Sequence, residues 1–279
     1  MPSGTQRSSW PGTSSWTVDG EVALWQPTAR QPGSRHFHQE IANELAQLQG
    51  QSVDPSHPVP HWGLLSVAAF ALIHGGGGSA WDWHLVAPAL RERGHDPVAV
   101  DLPSEDESAG WSEYTDTVVR AVGDRSDLVV VAHSLGGFTA PLVCARLPAK
   151  LLVLVAAMIP SPGEFFSDWW RNSGYEETGH EDVFYHDVPP ALAAEARRRE
   201  RNESSKALKE PWPLTAWPET PTRYLLCRDD RMFSAAWARR HAHERLGIQA
   251  DEIDGGHYIS LSRPREVAEH LHAYAAAMQ

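Results

Sequence analysis

Residues 129–137, VVVAHSLGG, give the strongest indication of the fold, because an apolar run leads directly into a serine and a pair of glycines. The apolar run indicates a strand that is buried on both faces. A serine between such a strand and a helix matches the nucleophile elbow G-x-S-x-G, in which a sharp turn exposes the serine hydroxyl above the sheet. Ala132 replaces the first glycine and is small enough for the turn. The stretch predicts an α/β protein with Ser134 as a nucleophile, and an ordinary helix N-cap is the alternative role for Ser134.

Further apolar runs alternate with helical segments from Ser66 onward, which is typical of βαβ units and a parallel sheet covered on both faces. The predicted strands are residues 66–73, 97–100, 128–132, 151–157, 222–227 and 249–253. The predicted helices are residues 81–93, 111–122, 135–147, 234–246 and 264–278. Residues 161–220 break the alternation with proline-rich, aromatic and charged stretches. A long insertion in a compact domain is usually functional, so we expect an inserted cap within a domain of residues 66–279.

The first 65 residues differ from the rest in composition, being rich in Ser, Pro, Gly and Gln. We expect residues 1–65 to be an N-terminal extension that is largely disordered, with a covering or partner-binding role as the alternative. The chain begins without the apolar segment of about 7 to 15 residues that a secretory signal contains. A cytoplasmic location is therefore the expectation.

Charge and composition exclude several classes of protein. The 279 residues include 24 basic and 36 acidic side chains, and the resulting net charge of −12 would repel a phosphate backbone. We therefore expect no nucleic-acid partner. No stretch approaches the roughly 18 to 20 apolar residues of a membrane helix, so no membrane span is expected. The oligomeric state is left open.

An activated serine requires a histidine base and a carboxylate that orients it. The base is predicted to be His257, which follows the last strand in the glycine-rich stretch DGGH. The acid is expected after the strand that ends at Cys227, where Asp229 and Asp230 are neighbours. Aligning Cys227 with the glycine of the common form G-x-x-D favours Asp230, with Asp229 as the alternative.

Four of the other histidines and the two cysteines are expected to have no catalytic role. Cys144 and Cys227 lie in apolar runs, where a thiol behaves as a small buried apolar group, so neither a disulfide framework nor a cysteine metal site is indicated. Four histidines lie in pairs two residues apart on predicted helices and are expected at the surface: His241 and His243, His270 and His272.

The stretch HGGGG at residues 74–78 follows the first predicted strand and is expected to form part of an oxyanion hole. Successive glycines can turn their amides toward a developing negative charge. The predicted donors are the N–H groups of Gly76 and Leu135. A nucleotide-binding loop is excluded by spacing, because neither G-x-G-x-x-G nor a following Gly-Lys-Ser/Thr is present. No cofactor and no metal are expected.

Several separated motifs together resemble the α/β-hydrolase fold, and more narrowly the plant methylesterase and hydroxynitrile lyase group with its bacterial esterase relatives. They are FALIHG at 70–75 with AWDW at 80–83, AHSLGG at 132–137, CRDD at 227–230 and GGH at 255–257. The resemblance covers the chain from about Ser66 to its end, without the cap. It implies the same fold and also favours Asp230, Gly76 and Leu135 in the roles given above. The lyases of this group carry a Lys after the catalytic His, where this chain has Tyr258, so the resemblance favours hydrolysis.

The prediction is a serine carboxylesterase that cleaves small to medium apolar or aromatic esters through an acyl-enzyme. Its predicted substrate-binding residues are His133, Met158, Phe165, Phe166, Trp169, Trp170 and Tyr258, and the cap also contributes Phe184 and Tyr185. Packing of the cap against the body is an equally weighted role for the aromatic residues. The alternatives are a hydroxynitrile lyase-like, lactone, thioester or carbon–carbon bond hydrolase reaction at the same site, or a non-catalytic ligand receptor.

Overall fold

A parallel six-stranded sheet forms the centre of the molecule in the computed structural model, which describes residues 67–278. The expected extension over residues 1–65 lies outside the described residues. The strands are β1 (Ala69–Ile73), β2 (Asp96–Val100), β3 (Leu128–His133), β4 (Ala149–Val155), β5 (Thr222–Cys227) and β6 (Asp251–Ile253). Each neighbouring pair in the order β2-β1-β3-β4-β5-β6 is parallel. The predicted α/β class is confirmed.

Helices cover both faces of this sheet. In the body they are α1 (Val86–Arg91), α2 (Trp111–Val122), α3 (Ala140–Cys144), α7 (Ala235–Leu246), α8 (Ile259–Ser262) and α9 (Pro264–Ala276). Alternate residues of β3 face the two layers: Val129 and Val131 pack with α1 and α9, and Val130 and Ala132 pack with α2, α3 and α7. Because both faces of β3 are buried, its sequence is continuously apolar rather than alternating.

Three helices lie between β4 and β5, within residues 161–220, which we call the cap segment. They are α4 (Phe166–Asn172), α5 (Pro190–Arg198) and α6 (Ser205–Lys209). The sequence predicted none of them as helices. They are short, and α5 contains four alanines and three charged residues among its nine, so the apolar periodicity that reveals longer helices is weak here.

Two predicted helices are interrupted in the structure. The segment predicted over 81–93 consists of a 3₁₀ turn (Ala80–Trp83) followed by α1, and the segment predicted over 135–147 consists of a 3₁₀ turn (Ser134–Phe138) followed by α3. In the second case Pro141 lies in the first turn of α3, where a proline is tolerated but cannot continue a preceding helix. Within residues 67–278 no helix is long and apolar enough to span a lipid bilayer.

The strand order reverses at β1, which lies between β2 and β3. In open α/β sheets, ligands bind outside the carboxyl ends of the strands at such a reversal. The register pairs Ile73, the last residue of β1, with Ala132 in β3. The glycine-rich stretch after β1 and the serine after β3 therefore emerge side by side at this edge.

Candidate active site

Ser134 follows β3 in a strained backbone conformation. Its φ of 51° lies in the left-handed region, which residues with a side chain adopt at a cost. The turn is held in place because the Ser134 carbonyl accepts a hydrogen bond of 2.9 Å from the Met158 N–H. Such a sharp strand-to-helix turn is the geometry of a nucleophile elbow.

Gly75 and Gly137 lie so close to neighbouring atoms that a larger side chain at either position would clash. A Cβ on Gly137 would overlap the main chain of Met158. A Cβ on Gly75 would lie 2.8 Å from Ser134 Cβ, closer than real Cβ contacts allow, and a tight 3.1 Å from His133 Nδ1. The loop after β1 and the turn after β3 are therefore in direct contact at Gly75, where a larger residue would separate them. A larger residue at Gly137 would push the turn away from the chain after β4.

His257 and Asp230 form a buried pair. His257 Nδ1 lies 2.8 Å from Asp230 Oδ2, and both side chains are about 1% exposed. The other carboxylate oxygen, Oδ1, accepts hydrogen bonds from the N–H groups of Met232 (2.7 Å) and Phe233 (2.9 Å). Because Asp230 is an acceptor, His257 Nδ1 carries the proton and Nε2 is left able to accept one. Of the two candidate acids, Asp230 is the one that contacts His257.

His133 connects the serine turn to the histidine loop. Its Nε2–H donates a 2.9 Å hydrogen bond to the main-chain carbonyl of His257, and the two rings are 4.8 Å apart. Burial holds the pKa of His133 well below its usual range, so the ring is neutral. Within residues 67–278 the His257 ring hydrogen-bonds to Asp230 and not to Ser134 Oγ. Hydrogen bonds between a nucleophile and its base are often long until substrate binds. The complete triad stays a prediction.

His74 orients the glycine loop after β1. Its Nδ1–H donates to the Gly75 carbonyl (2.8 Å), and its Nε2 accepts from the Leu102 N–H (3.1 Å). Burial lowers the pKa of His74 to about 4, which preserves this neutral tautomer. Since a peptide unit is planar, holding the Gly75 carbonyl also fixes the direction of the Gly76 N–H. The second predicted donor, the Leu135 N–H, is in the first turn of a 3₁₀ helix, where N–H groups lack an acceptor within the helix.

The family of the chain follows from its sequence pattern together with this geometry. The pattern of the alpha/beta hydrolase family matches residues 70–270. The chain belongs to the alpha/beta hydrolase family. The fold predicted from the motifs is thereby confirmed for this α/β hydrolase, and so is its resemblance to the plant methylesterase group.

Relatives of this α/β hydrolase include proteins named as esterases. It is 37% identical over 109 residues to the probable esterase PIR7A of Oryza sativa subsp. indica, a match covering 34% of this chain and 41% of that protein. It is 25% identical over 252 residues to methylesterase 2 of Arabidopsis thaliana, covering 74% of this chain and 95% of that protein. Among solved structures, polyneuridine aldehyde esterase aligns with a TM-score of 0.64 at 20% identity, covering 75% of this chain and 100% of that one. The chain thus matches less than half the length of the Oryza protein.

Aromatic rings surround the imidazole of His257 in this α/β hydrolase. The centroid of Phe233 lies 5.3 Å from that of His257, and the centroid of Phe184, from the cap segment, lies 5.5 Å away. Phe233 was missed by the sequence analysis, although its position three residues after Asp230 could have indicated it. Tyr258, a predicted substrate contact, is buried and stacks on Tyr185 with a centroid distance of 4.7 Å. These rings make the surroundings of His257 apolar.

The predicted substrate contacts of the cap segment occupy different environments. Trp169 is completely buried, and its indole N–H donates to the Ile159 carbonyl (3.0 Å). Its surroundings therefore match the alternative role, packing of the cap segment against the body. Phe166 and Trp170 pack edge to face with centroids 5.7 Å apart. Phe165 is 40% exposed and lines a surface cavity of about 530 Å³ together with Arg245. Substrate binding by these residues stays a prediction.

His241 corrects one expectation, because it is buried and not at the surface as its helical spacing suggested. Only 1% of it is exposed, its Nε2 accepts from the Ile159 N–H (3.3 Å), and its ring stacks on Trp237. Burial lowers its pKa to about 3. The expectation was wrong because the cap segment covers this face of α7 through Trp169. The described residues contain no cluster of three or more His, Cys, Asp or Glu side chains suited to a metal ion.

Proposed function

We propose that this α/β hydrolase is a serine carboxylesterase acting on small to medium apolar or aromatic esters. The observation that carries the proposal is the buried Asp230–His257 pair, together with a serine in strained backbone geometry after β3. The esterase names of the relatives support an ester as the substrate class. The rings of Phe184 and Phe233 at His257 favour an apolar acyl or alcohol group.

In the proposed reaction, Ser134 Oγ attacks the ester carbonyl carbon while His257 Nε2 accepts the hydroxyl proton. Asp230 holds the Nδ1–H and stabilises the imidazolium that forms. The carbonyl oxygen becomes an oxyanion that accepts hydrogen bonds from the Gly76 and Leu135 N–H groups. Collapse of this intermediate breaks the bond to the alcohol, which leaves with the proton from His257.

The acyl-enzyme is then hydrolysed by the same groups. His257 Nε2 removes a proton from water, and the resulting hydroxide attacks the acyl carbon. The second tetrahedral intermediate uses the same two N–H donors. Its collapse releases the carboxylic acid and returns the proton to Ser134 Oγ, so the enzyme emerges unchanged.

A labelling and turnover experiment tests this proposal. Wild-type protein is expected to react with a fluorophosphonate at Ser134 and to hydrolyse p-nitrophenyl esters. Ser134→Ala should lose the label and at least about 10³-fold in kcat, because the triad serine cannot be replaced. Ser126→Ala, which changes an exposed serine before β3, is the matched control and should retain both activities. Peptide mass spectrometry that places the label on another serine would contradict the assignment.

The lyase and receptor alternatives give different outcomes in the same assays. At the position where lyases carry a lysine, Tyr258 is buried, and burial raises the pKa of its hydroxyl well above the usual range. It therefore supplies no cation to stabilise departing cyanide. Cyanide release from mandelonitrile without ester turnover would favour the lyase. Tight ligand binding that survives Ser134→Ala, with no turnover by the wild type, would favour a receptor.

A further inference from the structure

Carboxylates of the cap segment accept hydrogen bonds from the main chain of both loops in the proposed active site. The Gly77 N–H, in the loop after β1, donates to Glu203 Oε1 at 2.9 Å. The Gly256 N–H, directly before His257, donates to Asp187 Oδ2 at 2.7 Å. These contacts join residues 126 and 69 positions apart in sequence, and the predicted motifs include neither carboxylate.

In the loop after β1, the two peptide units on either side of Gly76 are each hydrogen-bonded by a different side chain. His74, from the body, holds the carbonyl of the Gly75–Gly76 unit. Glu203, from the cap segment, holds the N–H of the Gly76–Gly77 unit. Because each peptide unit is planar, these two contacts together restrict both backbone torsions of Gly76. The direction of the proposed oxyanion donor is thus restrained by His74 in its own peptide unit and, through the next peptide unit, by a residue of the cap segment.

Other contacts of the same cap stretch reinforce this loop. The Arg201 N–H donates to the Gly77 carbonyl, and Arg201 Nε donates to the Gly78 carbonyl, both at 2.9 Å. The second oxygen of Glu203 accepts from the buried Tyr114 hydroxyl of α2 at 3.0 Å. Glu203 is therefore fixed at both oxygens, and it connects the glycine loop to the body of the molecule.

The loop before His257 has a similar arrangement. In the Gly255–Gly256 peptide unit, the carbonyl accepts from the Asp229 N–H of the body (3.0 Å), and the N–H donates to Asp187 of the cap segment. Asp229 also accepts from the Gly255 N–H through its side chain (3.1 Å). The backbone that leads into His257 is thus held on one side by the acid turn and on the other by the cap segment.

We propose that Glu203 and Asp187 are positioning residues that make the cap segment part of the catalytic framework, an inference that rests on the proposed esterase function. Glu203 acts through Gly77 on the orientation of the Gly76 N–H. Asp187 acts through Gly256 on the placement of His257. Displacing the cap segment would therefore misalign the base and the oxyanion donor.

Steady-state kinetics on paired variants test the proposal. Glu203→Ala and Asp187→Ala remove the acceptors and are each expected to lower kcat for a p-nitrophenyl ester about 10- to 100-fold, with KM within about 3-fold, because small misplacements reduce the chemical step. Glu203→Gln and Asp187→Asn retain an acceptor oxygen and should restore kcat to within about 5-fold of wild type. Glu195→Ala is the control, because among residues 67–278 the Glu195 side chain forms salt bridges only with Arg198 and Arg199, at the end of its own helix.

The outcomes distinguish this inference from the proposed function. A wild type that neither reacts with fluorophosphonate nor hydrolyses any ester overturns both. An active wild type whose alanine variants match Glu195→Ala in kcat, or raise KM alone, overturns only the positioning role. Thermal unfolding checks that each variant is folded. If Glu203→Ala does not fold, Tyr114→Phe is the second variant, because it removes only one hydrogen bond of Glu203. It is expected to lower kcat about 3-fold at constant KM. An unchanged kcat in Tyr114→Phe counts against the inference.

Discussion

At the scale of single residues, the acid turn assigns different environments to two adjacent aspartates. Asp230 is buried and accepts from His257 and two main-chain N–H groups, whereas Asp229 is exposed and accepts from Gly255. In Asp230→Asn the amide can donate to His257 Nδ1, which moves the ring proton to Nε2 and removes the base. We expect kcat to fall about 10⁴-fold.

Asp229→Asn is the matched comparison, because it retains the oxygen that accepts from Gly255. Its kcat is expected to fall less than about 10-fold. The measurement is ester turnover under saturating substrate, with unfolding curves to show that both variants fold. A larger loss in Asp229→Asn than in Asp230→Asn would assign the acid role to Asp229.

Residues at the ends of strands were predictable, and those that support them from the cap segment were not. Ser134 and Asp230 each follow a strand that its apolar run reveals, and His257 follows the less apolar β6 in a glycine-rich motif. Glu203 and Asp187 lie in a charged stretch without a motif, and their partners are main-chain N–H groups far away in sequence. Any sequence can supply a main-chain N–H, so no residue pattern marks such a contact.

At the scale of elements, the strands were predictable because burial on both faces demands continuous apolar sequence. The prediction of residues 128–132 differs from β3 (Leu128–His133) by one residue, whereas residues 249–253 shorten to β6 (Asp251–Ile253). β6 contacts only β5 within the described sheet and carries two charged residues, so its pattern defines its start poorly. Helices of the cap segment depend on contacts with the body, which local sequence does not encode.

Two aromatic residues near the start of α4 allow a packing role to be distinguished from a substrate-binding role. Trp169 and Phe165 lie four residues apart but in different environments. Trp169 is completely buried, with its ring 5.7 Å from that of Trp237, and Phe165 is 40% exposed. Trp169→Ala is expected to lower the free energy of unfolding by about 3 to 5 kcal/mol, the usual cost of removing a buried tryptophan. Phe165→Ala should change it by less than about 1 kcal/mol.

Urea unfolding at neutral pH measures both free energies, and KM for an aromatic ester is measured alongside. A rise in KM for Phe165→Ala at unchanged stability would support its predicted substrate contact. Equal small losses of stability in the two variants would contradict the packing role of Trp169.

At the scale of the whole molecule, four buried titratable groups oppose each other in their effect on stability. Burial lowers the pKa of His74 to about 4 and of His241 to about 3. Burial raises the pKa of Asp82 and of Glu203 to about 7. Between pH 5 and 6.5 the unfolded chain holds protons on the two histidines that the folded chain lacks, so these residues make stability rise with pH. The two carboxyls hold protons only when folded, so they make stability fall.

Because each group contributes about 1.4 kcal/mol per pH unit, the two carboxyls offset these two histidines in the wild type, and the buried His133 adds to the rise with pH. Removing one group should reveal its slope. From pH 5 to 6.5, Glu203→Gln is expected to gain about 2 kcal/mol of unfolding free energy relative to wild type, since glutamine incurs no cost of burying a charge. His241→Gln should lose about 2 kcal/mol over the same range, because the wild type alone gains stability as its unfolded imidazole deprotonates. Urea titrations at several pH values measure both differences, and slopes of the same sign in the two variants would contradict the opposed burial of these groups.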